Sequence, residues 1–405
     1  MLTTRATTRT TLSILVTLAF IGGCRSIIER QDVRPRVLRD VPAQNFAYRL
    51  QPDITPPTSL NDEDLSDKLA TVQTDFSTKR QDDALLRTVA SPDGQRVLAL
   101  YGTEDEPSSA FRIDLYSNDG RFLRNLIPPD LSCVFPETVA WSPDGNSINF
   151  IAHRRALPSP SPTPLTGYEE LPSGSPLPSP SVAPAFAPVV SFNTEQIYIC
   201  NRDGYDLRPL TAREGLIYFY FVWAPDNHAM VALACKEDEW NAREKQYRLP
   251  AGRPRLITLE GQERLLDDGL AEALPVWSTD ASKVATAFET DVVIYDAATA
   301  KPTQARLPLR DLLIAASFTY EQKTGTNSSD AAKSSTGSGA APSPIEARAQ
   351  GTVPPSFNPI TRLEWPAPDK LYFQTAFVRL MRNETINTFQ RWHLLNLSAQ
   401  AVVLK

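Results

Sequence analysis

With 41 Lys and Arg against 47 Asp and Glu, the 405-residue chain carries a formal net charge of −6 and offers no electrostatic footprint for nucleic acid. Basic runs interleaved with aromatic residues, which single-strand binders need, are absent. The length suits one large domain, and no second compact one stands out.

The amino terminus carries Arg5 and Arg9, then ten mostly apolar residues from Leu12 to Ile21, then Gly22-Gly23-Cys24. A basic start, an apolar middle and small residues before a cleavage point make a signal peptide over residues 1–23. Ten apolar residues are about half of what spans a bilayer, so a permanent membrane helix is not expected. The run Ile21-Gly22-Gly23-Cys24 resembles a bacterial lipobox. That resemblance implies cleavage before Cys24 and diacylglycerol on its thiol, with plain secretion as the alternative. The expected location is the cell envelope, as a membrane-anchored lipoprotein facing the periplasm or the cell exterior.

Residues 24–80 mix prolines with charges such as Asp62-Glu63-Asp64 and show little periodicity, so most of the segment reads as an irregular tether. Two short pieces, Phe46 to Leu50 and Leu69 to Val72, are candidates for a strand that closes a circular fold against its last unit.

From residue 81 an apolar run followed by an Asp turn and a second apolar run recurs five times. Ser91-Pro92-Asp93-Gly94 and Ser142-Pro143-Asp144-Gly145 are the clean copies. Ala224-Pro225-Asp226-Asn227, Ser278-Thr279-Asp280-Ala281 and Ala367-Pro368-Asp369-Lys370 are worn ones. Proline presets φ at the second turn position, Ser and Asp bond nearby backbone, and Gly accepts the left-handed conformation that closes the hairpin. The aspartates are spaced by 51, 82, 54 and 89 residues. Removing an insertion of about 35 residues from each long gap restores a unit of roughly 50, the size of one propeller blade. Further strands follow each turn, as in Phe111 to Tyr116 and Ile197 to Cys200, so each unit reads as four antiparallel strands.

The motif Val139-Ala140-Trp141-Ser142-Pro143-Asp144-Gly145, joined with Ile197 to Thr211, resembles the repeat of TolB-type β-propellers over about residues 85–405. The expected fold is all-β, a propeller of five or six four-stranded antiparallel blades within residues 81–405. The resemblance is specific for fold and says little about activity. Trp141, Trp223, Trp277 and Trp365 precede four of the turns and are expected to pack between neighbouring blades.

Two segments interrupt the repeats. Leu157 to Pro188 holds ten prolines in 32 residues and favours extended polyproline II. Glu321 to Pro359 is rich in Ser, Thr, Gly and Ala and is expected to be a flexible, disordered insertion. Between the repeats, Leu312 to Phe318 reads as an apolar strand of a fifth or a degraded sixth blade.

Motifs for chemistry do not emerge: there is no nucleophile elbow, zincin helix, phosphate loop or EF-hand. His153, His228 and His393 fall in different units and are expected at the surface or at strand ends. No catalytic, cofactor or metal residue is assigned, and turn duty is expected for the repeated aspartates. Cys133, Cys200 and Cys235 allow at most one disulfide, with buried inert thiols as the default. The preferred reading is a monomeric, lipid-anchored scaffold that binds an envelope protein or peptide, more a module than an enzyme. The alternative is a propeller enzyme of hydrolase, lactonase or cyclase type with its site at the axial funnel.

Overall fold

Each Asp turn closes its hairpin as its residues dictate. In the first copy Ser91 Oγ donates to Asp93 Oδ1 at 2.6 Å, that carboxylate accepts the Gln95 N–H at 3.0 Å, and Ser91 Oγ accepts the Arg96 N–H at 2.9 Å. Ser142 with Asp144 and Ser278 with Asp280 repeat the pattern at 2.6 and 2.7 Å. The fourth position is left-handed in Gly94 and Gly145 at φ 67° and 70°, and stays so where Gly is lost, in Asn227 at 63° and Ala281 at 57°. Asparagine tolerates that region, whereas alanine carries about 1 kcal/mol of strain there.

The computed structural model describes residues 37–57, 68–103, 110–154, 194–298, 300–327, 356–379 and 387–399. Strand β1 is Phe46–Gln51. The first blade is β2 (Asp83–Ala90), β3 (Arg96–Thr103), β4 (Arg112–Ser117) and β5 (Phe122–Asn125). The second holds β6 (Leu131–Val134), β7 (Ala140–Trp141), β8 (Ser147–Arg154), β9 (Gln196–Asn201) and β10 (Arg208–Pro209). The third is β11 (Leu216–Trp223), β12 (Ala229–Lys236), β13 (Arg253–Thr258) and β14 (Glu263–Leu265). The fourth is β15 (Val276–Trp277), β16 (Lys283–Phe288), β17 (Asp291–Asp296) and β18 (Gln304–Pro308). The fifth holds β19 (Ser356–Phe357), β20 (Ile360–Ala367), β21 (Lys370–Arg379), β22 (Asn387–Ala399) and β1. Five antiparallel sheets joined this way make a β-propeller of five blades among the described residues, and β6 with β7, and β19 with β20, act as interrupted inner strands.

The period of two along each strand decides which neighbour a side chain meets. Leu98 and Leu100 of β3 share a core with Trp141, Ile148 and Phe150 of the second blade. Val97, Ala99 and Tyr101 point the other way, onto Val72 and Phe76. Those two residues are the buried stripe of helix α1, Ala70–Lys79. Thus Leu69 to Val72 leads into a helix, and the closing strand comes from the other candidate. Phe46 pairs with Ala399 and Gln51 with Leu394, so β1 is the outer strand of the last blade. The sheet therefore draws on residues well before position 81, inside the segment read as tether.

Two further helices interrupt the blades: α2, Glu237–Lys245, between β12 and β13, and α3, Arg310–Asn327, between the fourth and fifth blades. The second overturns the strand expected at Leu312 to Phe318. Leu309, Leu313, Ala316 and Ser317 are the buried positions, a helical spacing that the unbroken apolar run hides. The helix also runs past Glu321, into the segment read as a flexible insertion, and β19 lies at its other end. Residues 1–23, read as a signal peptide, Cys24 and the Pro-rich stretch from 157 to 188 lie outside the described residues.

Candidate functional site

Up-and-down strand order gives the propeller two unlike ends. First-to-second and third-to-fourth connections fall at one end, and all of these are short turns. Second-to-third and blade-to-blade connections fall at the other, where α2 and α3 sit and where the chain between β8 and β9 departs; α1 instead lies along a face of the first blade, with Thr71 against the Asn118–Gly120 turn.

At the turn end the repeated motifs lock to each other. Arg202 reaches Asp93 at 2.7 Å and Arg96 reaches Asp203 at 3.3 Å, crossing between the first two blades. Asn227 Oδ1 accepts the Asp144 N–H at 2.9 Å, joining the second blade to the third. The Ser91 hydroxyl, the Gln95 N–H and Arg202 together hold the Asp93 carboxyl down at about 2. The remaining turn residues Pro92, Pro143, Pro225, Pro368 and Asp369 occupy the same hairpin bends. The chain leading to β1 belongs to this end too: the Ala43 N–H donates to Asp296 Oδ1 at 3.1 Å and the Gln44 N–H to Thr303 Oγ1 at 3.3 Å.

The tryptophans sit between blades. Trp141, Trp223, Trp277 and Trp365 are each 5–7% exposed. They share cores with Leu98 of the first blade, Ile199 of the second, Val231 of the third and Ala285 of the fourth respectively.

The helix end is built differently. Helix α2 opens on Glu237, Asp238 and Glu239 and closes with Arg243 and Lys245, charges placed to suit its dipole. Glu239 accepts the Lys236 N–H at 2.9 Å and is gripped by both arms of Arg253 at 2.6 and 2.7 Å. Arg253 foremost keeps the Glu239 carboxyl at about 2 against the opposing effect of burial. Trp240 roots the helix between Phe135 and Phe219, with ring centroids 5.8 and 5.6 Å away.

After α2 the chain turns at Tyr247, left-handed at φ 53°. Arg243 Nε donates to the Leu249 carbonyl at 2.7 Å, and Arg243 and Arg248 both bind Glu272. That frame holds two apolar side chains outward: Tyr247 is 99% exposed and Leu249 is 71% exposed. Beside them in the chain, Arg248 and Pro250 join Cys235, Trp240 and Arg243 in lining a small cleft of about 110 Å³. The sequence reading missed Tyr247, Leu249 and Trp240; the acid-first, base-last order of 237–245 was the signal for the helix that presents them.

The histidines divide. His228 lies exposed in a turn and His153 at a strand end, 3.8 Å from Glu195. His393 corrects the expectation: it is fully buried in the middle of β22, stacked on Phe373 at 5.0 Å. The Asp53 N–H donates to its Nδ1 at 3.4 Å, which leaves the proton on Nε2 facing Thr375 Oγ1 at 3.0 Å. Beside it Arg391 grips Asp53 at 2.6 and 2.7 Å and donates to Ser317 Oγ at 2.8 Å. The cluster ties β1's exit and α3 to the last blade. Among the described residues no group of three or more His, Cys, Asp or Glu is placed to hold a metal ion.

No protein-family model and no curated protein matches the sequence. Solved structures similar to the chain include three β-rich proteins. Kuenenia stuttgartiensis hydrazine synthase matches at 14% identity over 53% of each chain, with a TM-score of 0.30. Prolyl oligopeptidase B from Galerina marginata matches at 11% identity over 78% of this chain and 35% of its own, with a TM-score of 0.39. A chain of the nidogen/laminin complex matches at 12% identity over 76% of this chain and 81% of its own, with a TM-score of 0.29. The chain thus spans about half the length of the first and a third of the second. At these identities and scores the β-propeller rests on the sheet topology of the chain itself, and no activity is carried over.

Proposed function

We propose that the protein is a TolB-like propeller, anchored to an envelope membrane through a lipid on Cys24, that works as an interaction or scaffold module. The observation that carries the module reading is the α2 insertion, where an ion-paired frame holds Tyr247 and Leu249 out into solvent. A monomeric globular protein gains nothing in stability from that arrangement, whereas a partner would bury both side chains. The lipid anchor rests on the lipobox resemblance at Ile21 to Cys24, and the envelope location follows from it.

Two measurements test the reading. A photo-crosslinker in place of Tyr247 is expected to capture one envelope protein in whole cells, and Leu249→Ser is expected to lower the yield of that adduct. Cys24→Ala is expected to move the protein from the membrane to the soluble fraction with its fold intact by circular dichroism. A crosslinker at Tyr247 that traps nothing, or a Cys24→Ala protein still in the membrane, would refute the corresponding half.

A further inference from the structure

The two ends of the propeller are unlike, and the amino-terminal lead joins one of them. Because β1 begins opposite Ala399 and ends opposite Leu394, the residues before it issue from the turn end, where Leu397 N–H bonds the Asp369 carbonyl. The lead is fastened there: Lys283 Nζ donates to the Arg39 carbonyl at 3.1 Å, and the Ala43 N–H bonds Asp296. Val41 and Ala43 are buried in the core shared by the fourth and fifth blades.

From this we infer that the turn end of the propeller faces a lipid surface and that the end bearing α2 and α3 points away from it. The inference rests on the lipid anchor proposed at Cys24. About fourteen residues separate Cys24 from Leu38, a span of at most about 50 Å when fully extended. The fastened lead starts that span at the turn end, so that end lies nearer the anchor on average. Arg96 and Arg202 at the turn end are paired with Asp203 and Asp93, so these two cations are not free to bind lipid headgroups. The two orientations also differ in what they allow. With the turn end down, Tyr247 and Leu249 are presented to partners; with it up, the bilayer would cover them.

The test uses the full lipidated protein in vesicles. Cys133, Cys200 and Cys235 are buried, so a single added thiol takes a fluorescent donor selectively. Gln95→Cys marks the turn end and Tyr247→Cys the helix end, and both sites are exposed. Eight-residue strands such as β3 and β8 separate the ends by about 25 Å. Energy transfer to an acceptor on the lipid headgroups is expected to be several-fold greater from position 95 than from position 247, and to stay so in high salt. Equal transfer from the two sites, or greater transfer from 247, in protein that floats with the vesicles would overturn the orientation while leaving the anchor standing. Failure to float would remove the anchor and the orientation with it.

Discussion

Trp277 donates its indole Nε1–H to the Val222 carbonyl, 3.2 Å away in the preceding blade. Trp141 makes the equivalent bond to Val89 at 3.1 Å, so at two of the seams the tryptophan ties its blade to the one before by a hydrogen bond inside an apolar contact. Trp365 bonds the Pro368 carbonyl of its own turn at 3.3 Å instead, and Trp223 Nε1 is buried without a partner. Trp277→Phe loses a hydrogen bond and strands a carbonyl, whereas Trp223→Phe removes an orphaned donor. The first is therefore expected to cost about 1 kcal/mol more than the second. Denaturant midpoints of the two variants, compared at equal slope, decide it.

Asn149 stands where the first, third and fourth blades carry Leu98, Val231 and Ala285, and it is fully buried with neither amide atom partnered. A buried unsatisfied amide costs about 1–3 kcal/mol. Asn149→Val is accordingly expected to raise stability by about 1 kcal/mol. An unchanged or lowered midpoint would show that the amide is satisfied in solution.

His393 is held down to about 4, by burial first and by the charge of Arg391 second, against an ordinary value of 6.5. The unfolded chain therefore binds the extra proton first as pH falls. Stability is complete above about 6.5, declines as pH drops toward about 4, and this contribution is flat below that. Its size is on the order of 3 kcal/mol at most. His393→Gln is expected to flatten the stability profile within that window. Asp93 and Glu239, both near 2, lose their own contributions only at lower pH.

Burial pushes the Cys200 and Cys235 thiols up to about 12, and Cys133 higher still. A thiol reagent at pH 8 is expected to find no reactive cysteine in the native mature protein and three after denaturation. Since the sequence holds four cysteines, a fourth equivalent would mean that Cys24 is present and carries no lipid.

The hairpins were legible because their chemistry is local: Ser91 and Asp93 act on backbone within five residues. The strand at Phe46 was visible as a candidate, but its partner across the whole chain could only be guessed from circularity. Helix α3 was misread, since Leu312 to Phe318 is apolar but for Ser317 and its period is set by the surfaces it meets. Tyr247 and Leu249 were invisible for the opposite reason. Nothing local distinguishes an exposed apolar side chain from a buried one, and only the ion pairs around Glu272 reveal that they are held outward.

Asp53 and Arg391 are 338 residues apart, and β1 shares their fate. Among the described residues the first strand has no partner until the last one is in place. The four earlier blades can settle from local contacts, while Phe46–Gln51 waits with its backbone groups unpaired. A chain lacking only the final strand would thus leave this stretch open to adhesion with other copies, so arrival of the carboxy-terminal strand is the step that seals the last sheet.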